Sequence, residues 1–545
     1  MAGISPRPVQ DDMKPATQQQ AIALPLLFVP VFVAVYLLHI TLLRLPYFWD
    51  EGGYYIPAAW DYLRLGTLIP VTTMRNAHPP LPSILLAGWW RIAGFHIFCT
   101  RLLMCLVTTV ALLAVFRLAR MLAGNAAALA VMLLTMIYPV WFAQTTLAHA
   151  DMFAAAFTLW ALTFYFDREE WTGRTSNQTT NAIGTAVLLS LAALAKETAI
   201  ITPAALCALA LVLYARSRTR QNAVWAVALA APAVPLAAWF VYHRAKTGFM
   251  FGNPEFLRYN ATANLSLART LLSLWHRLIH LTVHMNLYVP VLATCAVFLL
   301  QRSDRHSPLV QRGAVRAIVV VIAAHWIAFS VLGGALLTRY LLPAYPLLLL
   351  LCLAVWQRRV RYWPVIAAIT LVGFAIACQV NPPYPFAPED NLSYRDMIVV
   401  HQAAINEVAR RYPGATVLTA WPVLADLQRP ELGYVQAPIR TMQVQNFTAE
   451  EIGKAAQDPG SFDTAIVFST KYDPPPGGLN LAGTSRDNDT RFYDYHRDLM
   501  PGEVARMLGG HIVWQDDRKG EWAAVLTFPR SYVVKNDLPS RPLRR

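Results

Sequence analysis

The sequence predicts a multi-span α-helical membrane protein that carries a C-terminal α/β soluble domain. Of its 545 residues, 56% are hydrophobic and 14% are charged, and the mean hydropathy is +0.38. An ordinary soluble domain carries roughly a quarter charged residues, so a single soluble core is excluded. Runs such as residues 21–43 exceed the roughly 20 apolar residues that cross a bilayer. The chain after residue 380 is polar instead.

Windows of ~19 residues divide the apolar part into about eleven spans. They lie near residues 21–43, 99–117, 124–142, 152–167, 182–195, 198–214, 223–242, 283–300, 315–335, 341–356 and 363–380. No small-residue cleavage site follows the first span, so we interpret it as a retained anchor. The expected domains are therefore a cytoplasmic N-terminal segment (residues 1–20), a transmembrane domain (residues 21–380) and a tail domain (residues 381–545).

The net charge of +14 follows from membrane topology and does not require a nucleic-acid partner. Alternating the spans from a cytoplasmic N-terminus puts most loop arginines inside, as the positive-inside rule predicts. These are Arg117, Arg120, Arg168, Arg174, Arg216, Arg218, Arg220, Arg302, Arg305, Arg312, Arg316, Arg358, Arg359 and Arg361. This topology predicts a multi-pass protein of the cell (inner) membrane, surrounded by membrane lipid, with an extracytoplasmic or periplasmic tail domain.

The outer side carries two long loops and the tail. The loops are residues 44–98 and 243–282, and long loops are usually functional or disordered. Residues 82–95 are aromatic and too short to span, which is typical of an interfacial helix. In the tail, a proline-rich linker precedes one helix and several short strands, including a terminal hairpin. The predicted helix is residues 393–412, and the strands are 415–420, 464–470, 511–516 and 523–528.

Two outer motifs follow the first span. Asp50 and Glu51 form an acidic pair within the aromatic stretch of residues 47–55, where the simpler interpretation is an aromatic belt before a solvated loop. His78 precedes two prolines that restrict the backbone entering the interfacial helix, and this pattern alone is a common turn. All six cysteines lie in or beside apolar runs, so neither a disulfide framework nor a zinc-cysteine site is indicated.

Three further outer positions carry charge at the edge of the bilayer. Asp151 is at the start of the fourth span, where an unpaired carboxylate is energetically costly and therefore suggests a function. A helix N-cap is the simpler interpretation. Lys196 lies between the fifth and sixth spans, and Arg339 with Tyr340 precedes the tenth. Both cations have an alternative role as anchors that reach the lipid headgroups.

Histidines recur every four residues in the second long loop, at His276, His280 and His284. One helix would carry them along a single face, with neighbours ~6 Å apart. Such a face suits a metal or a phosphate, but no HExxH pattern is present and an amphipathic interfacial helix is the commoner explanation. A divalent metal ion therefore stays open as a cofactor, and no other cofactor is indicated.

In order and spacing over residues 20–380, these motifs resemble those of the GT-C membrane glycosyltransferases. The most similar members are the bacterial relatives of dolichyl-phosphate-mannose protein mannosyltransferases and the lipid A aminoarabinose transferases. The resemblance implies that Asp50 is the catalytic base or orients the acceptor, that Asp151 is a second carboxylate of the same cavity, and that Glu51 assists. This sequence departs from the family pattern at one point, because the aminoarabinose transferases tend to have Lys where this chain has His78.

The expected function is transfer of a hexosyl or pentosyl group from a polyprenyl-phosphate donor on the extracytoplasmic face. The acceptor is a lipid, a glycan or a protein, and the leaving phosphate is met by cations and hydrogen-bond donors. The candidates for that role are His78, Lys196, Arg339 and Tyr340. A polytopic transporter or flippase of a lipid-linked sugar is the alternative, since such proteins also combine many spans with sparse charges. A binding scaffold without turnover is a third class.

Overall fold

The structure is a computed structural model that describes residues 24–173, 175–252, 266–299, 310–332, 336–472, 474, 477–481, 486–493 and 495–529. The expected N-terminal segment, residues 1–20, lies outside the described residues. The helices up to residue 380 are α1 (Leu24–His39), α2 (Ile56–Leu65), α3 (Leu81–Ala93), α4 (Ile97–Ala123), α5 (Asn125–Ile137), α6 (Pro139–Gln144), α7 (Ala150–Phe166), α8 (Glu169–Thr172), α9 (Gln178–Ala195), α10 (Ile201–Ser217), α11 (Arg220–Ala230), α12 (Ala233–Thr247), α13 (Leu267–Thr282), α14 (Tyr288–Leu299), α15 (Arg312–Leu332), α16 (Ala344–Arg359) and α17 (Trp363–Gln379).

Each of the predicted spans coincides with one helix or with two consecutive helices. Among the described residues, five helical segments are long and apolar enough to cross a membrane by themselves, namely Ile97–Ala123, Gln178–Ala195, Glu197–Ser217, Arg220–Thr247 and Arg312–Leu332. Others, such as Leu24–His39 and Ala150–Phe166, are apolar but shorter. A multi-span helical protein is therefore confirmed, and the total of about eleven spans stays a prediction.

Helix α7 lies at the centre of the helical domain, between α4 and α9. Its N-terminal half reads ADMFAAAF, and nearly all of its residues are buried. Small side chains let neighbouring helices approach closely in a membrane, where packing and not the hydrophobic effect drives helix association. The alanines therefore explain why the outer end of α7 is a well-supported platform.

The tail contains a five-stranded mixed sheet in the order β2-β1-β3-β5-β4. Its strands are β1 (Val417–Thr419), β2 (Thr441–Gln443), β3 (Thr464–Phe468), β4 (His511–Arg518) and β5 (Glu521–Thr527). Strand β1 runs parallel to β2 and β3, whereas β5 is antiparallel to β3 and β4. The helices are α18 (Ser393–Arg411), α19 (Val423–Gln428), α20 (Ala449–Ala455), α21 (Arg486–Tyr493) and α22 (Pro501–Leu508).

The predicted elements of the tail are present, and its described residues also contain strand β2 and the short helices α19 to α22. The helix and the four predicted strands appear where the periodicity predicts them, and α18 packs on β4 and β5. Lys519 and Gly520 both have positive φ, at 53° and 89°, which is the geometry of a two-residue hairpin turn. Strand β2 escaped prediction because its three residues are partly exposed and show no apolar alternation.

The tail packs directly on the first outer loop. A Cβ atom at Gly52 would lie 3.1 Å from a methyl of Leu432, and one at Gly53 would lie 3.1 Å from the ring of Trp421. That ring also meets the ring of Trp49 edge-on, with centroids 4.7 Å apart. The two glycines therefore permit the tail to approach the segment that carries Asp50.

Candidate active site

Asp50 occupies a locally strained position at the outer end of the first span. The preceding residue, Trp49, has φ +48°, a conformation that costs a bulky side chain energy unless its surroundings hold it. The ring of Trp421 supplies such support, and a π-helical turn follows at Glu51–Tyr55. Single π turns occur frequently at functional sites. The Asp50 side chain is 35% exposed, whereas Phe48 and Glu51 beside it are buried.

Asp151 and two cations form a buried cluster beside Asp50. The Asp151 carboxylate lies in the first turn of α7, where the helix dipole favours a negative charge. Lys196 Nζ lies 2.5 Å from Asp151 Oδ1, and Arg339 Nε lies 3.5 Å from Asp151 Oδ2. Arg339 also donates to Asp50 through Nη2. Arg339 thus joins two carboxylates that come from different outer loops.

This geometry decides between the alternatives for these residues. The N-cap of α7 is His149, whereas Asp151 lies inside the first turn of the helix, so the N-cap interpretation of Asp151 does not hold. Lys196 and Arg339 are buried and paired with carboxylates, so the headgroup-anchor interpretation of both is wrong. A buried cation requires a partner because desolvation of an unpaired charge is costly.

Tyr340 forms the wall of the cluster. Its ring centroid lies 4.1 Å from Lys196 Nζ, 5.7 Å from the guanidinium carbon of Arg277 and 5.9 Å from that of Arg339. Three cations therefore surround one aromatic ring, an arrangement stabilised by cation–π attraction. Arg277 comes from α13 and also donates to the carbonyl of Leu337 at 2.5 Å.

A small cleft lies beside this cluster, between α7, α15 and the 3₁₀ turn Glu197–Ile200 that precedes α10. Its upper end is lined by Asp151, Lys196 and Arg339, and its walls include Ala154, Thr158 and Phe329. His325 lines it as well and donates through Nδ1 to the Val321 carbonyl at 2.9 Å. The cleft therefore places these charged groups beside apolar side chains of the helices.

Glu51 points away from the cluster and is fully buried. Its carboxylate lies 2.5 Å from Arg101 Nη1, and it accepts backbone N–H groups from Ala148 at 2.6 Å and Phe48 at 2.9 Å. Arg101 donates further to the carbonyls of Thr146 and Pro46. This network joins the loop of Asp50 to the loop that precedes Asp151.

His78 is separated from the cluster by one layer of intervening side chains. Its Nδ1 is 2.9 Å from Glu197 Oε2, and its ring stacks on Tyr55 with centroids 6.1 Å apart. Tyr55 in turn packs against His149, at 5.8 Å between centroids. His78 therefore contacts the site through neighbours, and its predicted contact with the donor phosphate stays a prediction.

The first turn of the tail supplies two acids that the sequence analysis missed. Glu389 Oε2 lies 2.5 Å from Arg339 Nη1, and Asp390 accepts from the hydroxyl of Thr338 and lies 2.9 Å from His284 Nε2. All of these side chains are buried. The signal was an acidic pair directly after the proline-rich linker, of the same kind as Asp50 and Glu51.

The expectation that one helix carries the three histidines is wrong, because α13 ends at Thr282 and His284 lies in the next turn. His284 pairs with Asp390, whereas the ring of His276 packs on Tyr493 of the tail. The rings of His280 and His284 come close, with centroids 5.3 Å apart. Within the described part of the chain, no group of three His, Cys, Asp or Glu residues is arranged to hold a metal ion.

Comparison with known proteins matches part of the sequence and most of the fold. The model of the dolichyl-phosphate-mannose-protein mannosyltransferase family matches residues 77–242, a segment that contains His78, Asp151 and Lys196. No curated protein sequence matches the chain significantly.

Among solved structures, ArnT from Cupriavidus metallidurans bound to undecaprenyl phosphate is 15% identical, with a TM-score of 0.52 over 92% of this chain and 97% of that one. The apo form of the same protein is 14% identical, with a TM-score of 0.52 over 92% and 98%. An oligosaccharyltransferase from Archaeoglobus fulgidus, AglB, is 13% identical with a TM-score of 0.44 over 91% and 74%, a likeness too low to support an argument. The chain therefore has the fold of the GT-C membrane glycosyltransferases, and its residues 77–242 resemble the dolichyl-phosphate-mannose-protein mannosyltransferases, which confirms the predicted resemblance.

Proposed function

We propose that the chain is a membrane glycosyltransferase that moves a sugar from a polyprenyl-phosphate carrier to an acceptor on the extracytoplasmic face. The observation that carries this proposal is the Arg339 bridge between Asp50 and Asp151 at the upper end of the cleft. Two carboxylates with different exposure suit two roles, since the exposed one can meet an acceptor and the buried one can organise cations. Function is argued from this site and not from the fold alone.

The charges beside the cleft support a lipid-phosphate donor. An isoprenoid chain lying along the apolar surfaces of these helices would place its phosphate at the level of Lys196, Arg277 and Arg339 around Tyr340. Cations held in fixed positions stabilise the negative charge that develops on a leaving phosphate. Undecaprenyl phosphate bound to the structurally similar ArnT is consistent with this donor class.

In the proposed reaction, Asp50 accepts the proton of an acceptor hydroxyl as that oxygen forms a bond to the anomeric carbon of the sugar. The bond between the anomeric carbon and the phosphate oxygen breaks, and its electron pair leaves with the polyprenyl phosphate. The cations of the cluster stabilise the negative charge that forms on the leaving polyprenyl phosphate. A single displacement of this kind inverts the anomeric centre.

We assign supporting roles to the remaining acids. Glu51 has its carboxylate occupied by Arg101 and two backbone N–H groups, so we propose a positioning role for it in place of direct assistance. Asp151 holds Lys196 and Arg339 in place for the phosphate. The acceptor class stays open among lipid, glycan and protein, because the surfaces that would contact it lie in the outer loops.

The test is release of free polyprenyl phosphate by the purified protein in liposomes, with a panel of polyprenyl-phosphate sugars and cell-derived acceptors. The wild type should release it, and Asp50→Asn and Asp151→Asn should not. Movement of intact lipid-linked sugar between leaflets without release would favour the transporter alternative.

A further inference from the structure

A second cavity lies at the opposite end of the helical domain from the candidate active site. It has a volume of about 540 Å³ and is bounded by α8, the last turns of α10 and the start of α15. Helix α7 carries Asp151 in its first turn and leads to α8. Its 17 residues span roughly 25 Å at 1.5 Å per residue, close to the ~30 Å of a hydrocarbon layer. The cavity therefore lies at the other face of the membrane.

The wall of this cavity is built around Trp171. A Cβ atom at Gly313 would lie 2.5 Å from Trp171 Nε1, so a glycine is needed for α8 to pack this closely on α15. The guanidinium carbon of Arg168 lies 4.5 Å from the centroid of the same ring and 4.1 Å from that of Trp225. Cation–π contacts of this kind help to fix an aromatic ring. Two neighbours therefore hold Trp171 in place, and the wall is preorganised.

Two arginines give the cavity its charge. Arg312 and Arg316 both line it and lie four residues apart on one face of α15, with Cβ atoms ~6 Å apart. Glu170 lines the cavity too, but its carboxylate lies 3.6 Å from Arg168 Nη1. Among the described residues, neither Arg312 nor Arg316 has an acid within ion-pair distance. The described groups thus leave an excess of two positive charges at this cavity.

Apolar side chains complete the lining. Leu209 and Leu213 face the cavity from successive turns of α10. Leu211 and Val212, between them in sequence, are exposed on the surface of the same helix, where the bilayer surrounds it. A molecule in the cavity would therefore contact cations and apolar side chains at the edge of the lipid.

We propose that the cavity binds an anionic phospholipid, with its phosphate at Arg312 and Arg316 and the start of an acyl chain along Leu209 and Leu213. The positive-inside rule predicts this face to be the cytoplasmic one, where basic pockets between helices bind anionic headgroups. The volume lies within the range of small-molecule sites and suits a headgroup. A soluble phosphate would leave the leucines without a partner, so a lipid fits the whole lining better.

A lipid bound here would join three helices. It would contact α8, α10 and α15, which belong to different parts of the chain, and would thereby stabilise the helical domain. It would not contact the cluster around Arg339. The inference therefore does not depend on the proposed function.

The experiment uses the full-length protein in detergent after removal of co-purified lipid. Native mass spectrometry and thermal unfolding follow titrations with phosphatidylglycerol, phosphatidylcholine or glycerol 3-phosphate. We expect phosphatidylglycerol to bind and to raise the melting temperature, phosphatidylcholine to do so less, and glycerol 3-phosphate to have no effect. Arg312→Gln with Arg316→Gln should weaken phosphatidylglycerol binding by roughly 30-fold, at about fivefold for each basic residue near a lipid surface.

Two further variants separate the cavity from the general charge of this face. Arg218→Gln with Arg220→Gln is the matched control, because it removes two exposed arginines near the end of α10 that lie outside the lining. It should bind phosphatidylglycerol like the wild type. Leu213→Trp keeps both cavity charges and fills the apolar part, so it should also lose the lipid. Its melting temperature without lipid shows whether it folds.

Four outcomes would overturn this inference. Equal binding of phosphatidylglycerol and phosphatidylcholine would show that charge has no part, and wild-type binding by the Arg312 and Arg316 double variant would exclude these residues. An equal effect of glycerol 3-phosphate would indicate a site for a soluble phosphate and not for a lipid. Equal loss in the Arg218 and Arg220 control would show that net charge, and not the cavity, attracts the lipid.

Discussion

Lys196 Nζ lies 2.5 Å from Oδ1 of Asp151, and both side chains are buried. The two residues come from different loops, and their contact joins the start of α7 to the turn that precedes α10. Removing one partner of a buried ion pair leaves an uncompensated charge, whereas removing both can be nearly neutral. Single and double substitutions in this pair can therefore separate its contribution to stability from its contribution to activity.

Asp151→Asn should lose transfer and also destabilise the protein by about 3 to 5 kcal/mol, because Lys196 would stay buried without its carboxylate. The double variant Asp151→Asn with Lys196→Met should recover stability and stay inactive. Thermal unfolding in detergent and phosphate release in liposomes measure the two effects. Recovery of activity in the double variant would contradict the role of Asp151 in holding cations for the phosphate.

Asp50→Asn should reduce kcat by about 10²-fold or more with little change in melting temperature, since the side chain is 35% exposed and Asn is nearly isosteric. Asp167→Asn is the matched control. Asp167 is also a partly exposed acid, 25% exposed, and its side chain lies 3.9 Å from Arg117 at the opposite end of α7. If both variants keep wild-type turnover, Asp50 has no part in the chemistry.

Glu51→Gln should destabilise the protein by roughly 3 kcal/mol, because Arg101 would lose its only carboxylate contact among the described residues. The double variant Glu51→Gln with Arg101→Met should be less destabilised than the single one. Differential scanning fluorimetry of the four proteins gives the coupling energy. A Glu51→Gln variant that is as stable as the wild type but inactive would contradict the positioning role and indicate that Glu51 takes part directly in catalysis.

Stability should fall as the pH rises from about 5 to 7, because of Glu521 in strand β5. Burial raises its pKa from the ordinary value of 4.5 to about 7, against hydrogen bonds from Ser393 and Ser469 at 2.8 Å. The folded state thus holds a proton that the unfolded state has lost, so the contribution is full at low pH and is lost as the pH passes 7.

This contribution amounts to roughly 3 kcal/mol, and Glu521→Gln should remove it and flatten the dependence of melting temperature on pH. Asp458→Asn, an exposed acid of the same domain, should leave the curve parallel to that of the wild type. Parallel curves for all three proteins would show that Glu521 is not a source of the pH dependence.

The predictability of the site differs from residue to residue. Asp50, Asp151, Lys196 and Arg339 could be found because each is a charge at the edge of an apolar run, where an unpaired charge is costly. Arg277 was missed because it lies in an amphipathic helix, where a charge needs no explanation. Glu389 was missed because it follows a proline-rich linker and not an apolar run. Glu51 carried the same signal as Asp50, yet the π-helical turn points the two side chains in different directions.

By itself, the sequence determined the membrane class, the positions of the apolar segments and most of the tail's secondary structure. These depend on local hydrophobicity and periodicity, which a single chain displays directly. Only the tertiary structure decided that Arg339 joins Asp50, Asp151 and Glu389, residues separated by up to 289 positions. Pairing over such distances depends on how the helices pack and on where the tail docks, and no local pattern encodes it.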